Sequence, residues 1–127
     1  MTMYSEVYKV NGQDDIDDYM VMANSTYLKY SDLIRTKYFS NNIKNLLKIK
    51  EQSSISFIIV EQFVYKKIDL FFTNLFTVDI QILNLDLNNY QITTKHDFFN
   101  KNKQLCATTK CNLIWSLACD SLTHKLE

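Results

Sequence analysis

Four carboxylates crowd five positions near the start of the chain: Asp14, Asp15, Asp17 and Asp18. A carboxylate can serve as general base or nucleophile, yet an acidic cluster following Asn11-Gly12-Gln13 is, on residue type alone, a solvated loop. Arg35 is the only arginine, and its planar guanidinium suits a phosphate or an ion pair at a subunit contact. Asp32 stands at helical spacing from Lys29 and Arg35 and fits an exposed ion-pair partner. Lys66 and Lys67 are adjacent cations of the kind solvent normally takes. The histidines are His96 and His124, and the cysteines are Cys106, Cys111 and Cys119 with no Cys-x-x-Cys pair. That set does not make a zinc site, so the expected metal content is none and the thiols read as buried and reduced. One glycine, Gly12, and no proline exclude glycine-rich phosphate loops of the P-loop, dinucleotide and kinase kinds. Turns are then expected to place Asn, Asp and Ser in left-handed backbone.

The elements that must carry these groups follow from periodicity. A chain of 127 residues suits one domain spanning 1–127, and a hydrophobic content of 46% suffices for a core. Fourteen basic against fourteen acidic side chains remove the broad electrostatic drive for nucleic acid. The first 20 residues are too acidic for a signal peptide, and runs such as Phe57 to Val60 are too short to span a bilayer. The expectation is a soluble, cytoplasmic protein with no membrane span.

Met3 to Val10 reads as a strand, and Tyr27, Tyr30, Ser31, Ile34 and Tyr38 predict a helix over Ser25 to Phe39, capped by Asn24 or Ser25. Asn41 to Lys50 fits a short second helix or an ordered loop. Ser56 to Tyr65 is nearly continuous in apolar residues, as a central strand would be. Leu75 to Leu83 alternates strictly, Tyr90 to Phe99 puts His96 on a face with Ile92 and Phe98, and Gln104 to Leu117 is a last strand. His96 there predicts a satisfied, half-buried histidine. The phenylalanines Phe57, Phe63, Phe71, Phe72, Phe76, Phe98 and Phe99 are expected in the core and at an interface. One strand, one long helix and four consecutive strands form an α+β pattern with antiparallel pairing.

With its acidic loop this order resembles the hotdog fold, an antiparallel sheet wrapped around one long helix. Residues Asp15-Ile16-Asp17-Asp18-Tyr19-Met20-Val21-Met22-Ala23-Asn24-Ser25-Thr26-Tyr27 are similar to the Asp-x-Asp-x-x-Gly-His-Val-Asn-Asn-x-x-Tyr pattern of acyl-CoA thioesterases of the 4-hydroxybenzoyl-CoA thioesterase type. Asp32 and Arg35 follow in the helix, then Ile58 to Tyr65 as the strand ending in tyrosine, with Lys66-Lys67-Ile68-Asp69 after it. The resemblance covers residues of about 3 to 116 and implies hydrolysis of an acyl-CoA or acyl-carrier-protein thioester.

On that resemblance Asp17 is the catalytic carboxylate, as base or nucleophile. The helix start, with Asn24, Ser25 and Tyr27, is the oxyanion and substrate site. Asp32 and Arg35 are secondary candidates, and Lys66 and Lys67 would meet the phosphates of CoA or a carrier. No cofactor is implied, since CoA or phosphopantetheine enters as part of the substrate. The family pairs its open sheet edges, so a homodimer or homotetramer is expected. The pattern departs at Met20, where the family has glycine, and at Val21 and Ala23. Met20 predicts a different backbone or a wider loop. These departures also motivate a second reading, a degenerate member that binds an acyl group or a protein partner without hydrolysis. A dehydratase fits less well, because its histidine-led signature is absent.

Overall fold

Strand alternation and helical spacing each find their element in the computed structural model, which describes residues 2–12, 14–50 and 53–118. The order is β1 (Tyr4–Lys9), α1 (Asn24–Leu47), β2 (Ser54–Lys66), β3 (Leu75–Asp86), β4 (Gln91–Asn100) and β5 (Leu105–Ala118). All pairings are antiparallel, and the strand order across the sheet is β1-β3-β4-β5-β2. Helix α1 packs against this sheet, which is the hotdog arrangement. Cys119 and His124 lie outside the described residues.

Three expectations are corrected. The helix does not stop at Phe39 but runs to Leu47, so Asn41 to Lys50 supplies neither a second helix nor a loop for most of its length. Ile43 and Leu47 extend the buried spacing set by Tyr27, Tyr30, Ile34 and Phe39, and that continuous apolar stripe carries the helix past its polar stretch. The helix ends where Lys48 turns left-handed, with the Ile49 N–H donating to the Lys44 carbonyl at 3.0 Å. Second, Ala23 and not Asn24 or Ser25 occupies the N-cap position, and no side chain caps the helix. Third, β2 is an edge strand. Its apolar run lies open: Ile58, Val60 and Tyr65 are each more than half exposed.

The turns depart from expectation too. Among the described residues five adopt left-handed backbone, Met20, Lys48, Thr73, Tyr90 and Lys103, and none is Asn, Asp or Ser. The Asn and Asp side chains act instead as acceptors that staple the turns: Asp86 Oδ1 takes the N–H groups of Asn88 and Asn89, and Asn100 Oδ1 those of Asn102 and Gln104. Gly12 has no positive φ. Its bare Cα lets the Phe72 ring approach, since a Cβ there would stand 3.2 Å from Phe72 Cε1.

Two apolar clusters fill the space between helix and sheet. One joins Tyr27, Tyr30 and Ile34 to Phe76, Val78, Ile80 and Phe98; the other joins Phe39, Ile43 and Leu47 to Ile92, Leu113 and Trp115. Between them lies a polar layer. Ser31 Oγ meets Thr109 Oγ1 at 2.5 Å, and Thr109 Oγ1 meets His96 Nδ1 at 2.9 Å. Arg35, one turn beyond Ser31, is buried with them. His96 is fully rather than half buried and only partly satisfied: its Nε2, Thr94 Oγ1 and Arg35 Nη1 have no partner among the described residues. Burial, and then the Arg35 charge, push the His96 imidazole down to about 3, so it is neutral at physiological pH. Of the phenylalanines, Phe76 and Phe98 are buried in the core, whereas Phe71 and Phe72 lie on the surface. Cys106 and Cys111 are buried free thiols.

Candidate active site

The acidic loop folds back as a small hairpin. Ile16 bridges Met22, the Asp17 N–H donates to the Val21 carbonyl at 2.8 Å, and the Met20 N–H donates to the Asp17 carbonyl at 3.1 Å. Its returning arm is clamped from outside by residues 70–72, through Met22 N–H to the Leu70 carbonyl at 2.7 Å and Phe72 N–H to the Met20 carbonyl at 3.0 Å. Met20 sits at the hairpin tip with φ of 66°. At the position where the family has glycine the backbone is thus left-handed and the turn is closed by these bonds. Methionine takes the left-handed conformation that glycine favours, and bonds on both sides hold it there.

The carboxylates of this loop divide by environment. Asp15 is completely buried. Its Oδ1 accepts from Lys29 Nζ at 2.5 Å, and its Oδ2 accepts from Tyr30 Oη at 2.6 Å and the Asn11 N–H at 2.9 Å. Burial pushes this carboxyl up, but the bonds from Lys29, Tyr30 and Asn11 outweigh it and hold the group below its ordinary value. Asp15 is thus held ionised at neutral pH with both oxygens occupied. Asp17 is exposed, and only one of its oxygens is engaged: Oδ1 accepts the N–H groups of Tyr19 at 2.8 Å and Val21 at 3.3 Å. Its Oδ2 accepts nothing among the described residues. Of these two, only Asp17 can present a free carboxylate oxygen to a ligand.

From Val21 the chain needs only two extended residues, about 7 Å, to reach Ala23 and the start of α1. There the N–H groups of Asn24 and Ser25 have no acceptor among the described residues. No acidic residue lies in the first turn and no side chain caps it, so the positive end of the helix dipole is uncompensated. Both Asn24 and Ser25 are exposed. A helix end with free donors thus follows, two residues on, the hairpin that carries a carboxylate held by one oxygen.

The other predicted residues fall into two groups. Lys66 ends β2 and Lys67 follows it, a few residues before the 70–72 segment that clamps the hairpin. Lys66 Nζ lies 3.9 Å from Asp69 Oδ1, and Lys67 is exposed. Tyr27 is fully buried, its ring set edge-on to Phe98 at 5.1 Å, and burial pushes its phenol up to about 12. It presents no surface to a ligand in this chain and supports the helix start from beneath. Asp32 is half exposed and pairs with Arg35 within the same helix, while the rest of the Arg35 guanidinium enters the polar layer.

Asp15, Lys29 and Tyr30 form a network that the sequence did not announce. Tyr30 is fifteen residues from Asp15, and nothing local in either segment marks the pair. Among the described residues no three His, Cys, Asp or Glu side chains stand together in a way that could hold a metal ion. No helix among them is long and apolar enough to cross a membrane.

Residues 12–117 match the family model of the thioesterase-like superfamily. No curated protein matches the chain in sequence. Solved structures share its fold at low identity. The PA2801 protein of Pseudomonas aeruginosa superposes with a TM-score of 0.74 at 14% identity, covering 100% of both chains. A 1,4-dihydroxy-2-naphthoyl-CoA thioesterase from Synechocystis gives a TM-score of 0.71 at 11% identity, over 88% of this chain and 80% of that one. A Staphylococcus aureus protein in complex with CoA gives 0.68 at 16% identity, over 87% and 68%.

Proposed function

The chain belongs to the thioesterase-like superfamily, and from that footing we propose that it hydrolyses an acyl-CoA or acyl-carrier-protein thioester with Asp17 as the reacting carboxylate. The observation that carries the reading is the half-engaged carboxylate of Asp17 on a hairpin that leads within a few residues into an uncapped helix end. Its free oxygen takes a proton from an attacking water, or attacks the thioester carbonyl to give an acyl anhydride that water then cleaves, releasing the acid and restoring the carboxylate. The oxyanion that forms is stabilised by the Asn24 and Ser25 N–H groups and the helix dipole. The thiolate leaves with the CoA or phosphopantetheine arm, whose phosphates Lys66 and Lys67 meet. Two of the structural neighbours support a CoA substrate, one named for a CoA thioester and one solved with CoA.

A second copy of the chain belongs to the same proposal. The open edge of β2 leaves a row of unpaired backbone groups flanked by exposed Ile58, Val60, Phe63 and Tyr65. Pairing with another such edge covers both and gives a homodimer, which can pair again into a homotetramer. A cytoplasmic location accompanies such a substrate. Non-hydrolytic acyl binding is the second reading, motivated by Met20, Val21 and Ala23; the left-handed Met20 closes the hairpin tip as a glycine could and so favours the hydrolytic one.

Turnover of short, long and aromatic acyl-CoAs tests the reading. Wild-type protein is expected to hydrolyse at least one of them, and Asp17→Asn to lose roughly 100-fold or more in kcat with its melting temperature unchanged. An Asp17→Asn protein that keeps full rate removes Asp17 from the mechanism, and binding without turnover across the panel favours the non-hydrolytic reading.

A further inference from the structure

We propose that Asp15 is a positioning residue for Asp17: its buried carboxylate anchors the acidic hairpin to the second turn of α1 and so fixes where the Asp17 carboxylate points. The inference rests on the hydrolytic reading for its effect on rate, but not for its effect on structure.

Asp15 makes five bonds to two other parts of the chain. The carboxylate binds Lys29 and Tyr30 on α1 and the Asn11 amide at the end of the β1 connection. Its main-chain carbonyl accepts the Thr26 hydroxyl at 3.0 Å and the Ala23 N–H at 3.0 Å. The helix start and the hairpin are thereby joined through one residue, and Asp17 stands two residues further along the same backbone. Among the described residues Asp17 makes no side-chain bond outside its own hairpin: its two donors, the Tyr19 and Val21 amides, belong to that loop. Its position relative to the Asn24 and Ser25 N–H groups is therefore set by whatever holds the hairpin on the helix. The outer clamp from residues 70–72 fixes the returning arm, and Asp15 fixes the departing one.

Tyr30 is the most informative member of the anchor. Its hydroxyl gives Asp15 Oδ2 a bond of 2.6 Å, while its ring packs on Tyr8 and Phe76 with centroids at 4.9 and 5.0 Å. Tyr30→Phe removes this bond, together with the longer 3.4 Å contact of the hydroxyl with the Lys9 carbonyl, and keeps the packing. Lys29 is half exposed, and Lys29→Arg keeps a cation within reach of Asp15.

The test compares wild type, Tyr30→Phe, Asp15→Asn and Lys29→Arg by amide hydrogen exchange and by kinetics on an acyl-CoA the wild type turns over. In Tyr30→Phe the Tyr19 and Val21 amides are expected to exchange about tenfold faster, while the β3 and β4 amides, which report global unfolding, keep their rates. The kcat is expected to fall between about ten- and 100-fold with KM within about twofold, the scale on which a displacement of about 1 Å lowers a rate. Asp15→Asn goes further in the same direction, and Lys29→Arg stays near wild type in both readouts. Unchanged Tyr19 and Val21 exchange in Tyr30→Phe overturns the proposal, as does faster exchange with kcat unaltered in an active enzyme. If the wild type hydrolyses nothing on the panel, the functional reading fails by itself, and amide exchange still decides whether Asp15 holds the hairpin.

Discussion

Lowering the pH from 7 to 5 should weaken the fold through one residue, His96. This imidazole is fully buried between α1 and the sheet, facing Arg35 on the helix and Thr109 on β5. Unfolded, it takes up a proton near pH 6.5; folded, it does so only near pH 3. Between those values the unfolded chain holds the extra proton, so stability is full above pH 6.5 and falls as the pH falls toward 3. At about 1.4 kcal/mol per pH unit below 6.5, the loss between pH 7 and pH 5 is about 2 kcal/mol. Carried to pH 3 it approaches 4–5 kcal/mol, which is about the whole stability of a marginal domain. Urea unfolding of wild type and His96→Gln at pH 7, 6 and 5 measures it. Glutamine can keep a bond to Thr109 but cannot take the proton, so its curve should be flatter by about 2 kcal/mol over that range. Carboxylates cancel in the difference, since Asp15 and Glu6 titrate from unfolded values of 3.8 and 4.5 in both proteins. Parallel curves for the two proteins would refute the reasoning and mean that His96 is charged or hydrated inside the fold.

Other perturbations follow from the same geometry. Ala23→Asp supplies the missing cap and should raise stability by about 1 kcal/mol, while the new carboxylate occupies the helix-end donors and lowers kcat by about tenfold or more; thermal melts and steady-state rates separate the two effects. Met20→Gly relieves left-handed strain at the hairpin tip. Less the extra chain entropy of glycine, it should stabilise by about 0.5–1 kcal/mol in denaturant unfolding, with activity kept. Val60→Asp places like charges across any pairing of two β2 edges, and sedimentation should show dimer affinity weakened by at least about tenfold with the monomer still folded.

Much of the fold was legible because it rests on local periodicity. Alternation at Phe76, Val78, Ile80 and Ile82 identifies β3, and the three-and-four spacing from Tyr27 identifies α1, because each pattern is what one buried face requires. The position of β2 was not legible. An apolar run is the same whether sheet or partner covers it, and only the strand order shows that β2 has one neighbour. The helix end was misread for a related reason: Asn41 and Asn42 are polar, but Ile43 and Leu47 are buried, and burial decides.

The sequence by itself determined that four acids share a loop ahead of a helix, that glycine-loop chemistries are excluded, and that the order of elements is α+β. Those conclusions depend on residue type and neighbour spacing alone. Tertiary structure decided which acid is which. Asp15 and Asp17 are chemically identical two residues apart, and they differ only because Lys29 and Tyr30 close over one of them and solvent over the other. It also decided that Met20 could stand where glycine was expected, since its N–H bond to the Asp17 carbonyl and the Phe72 N–H bond to its own carbonyl offset a conformation that no local preference favours.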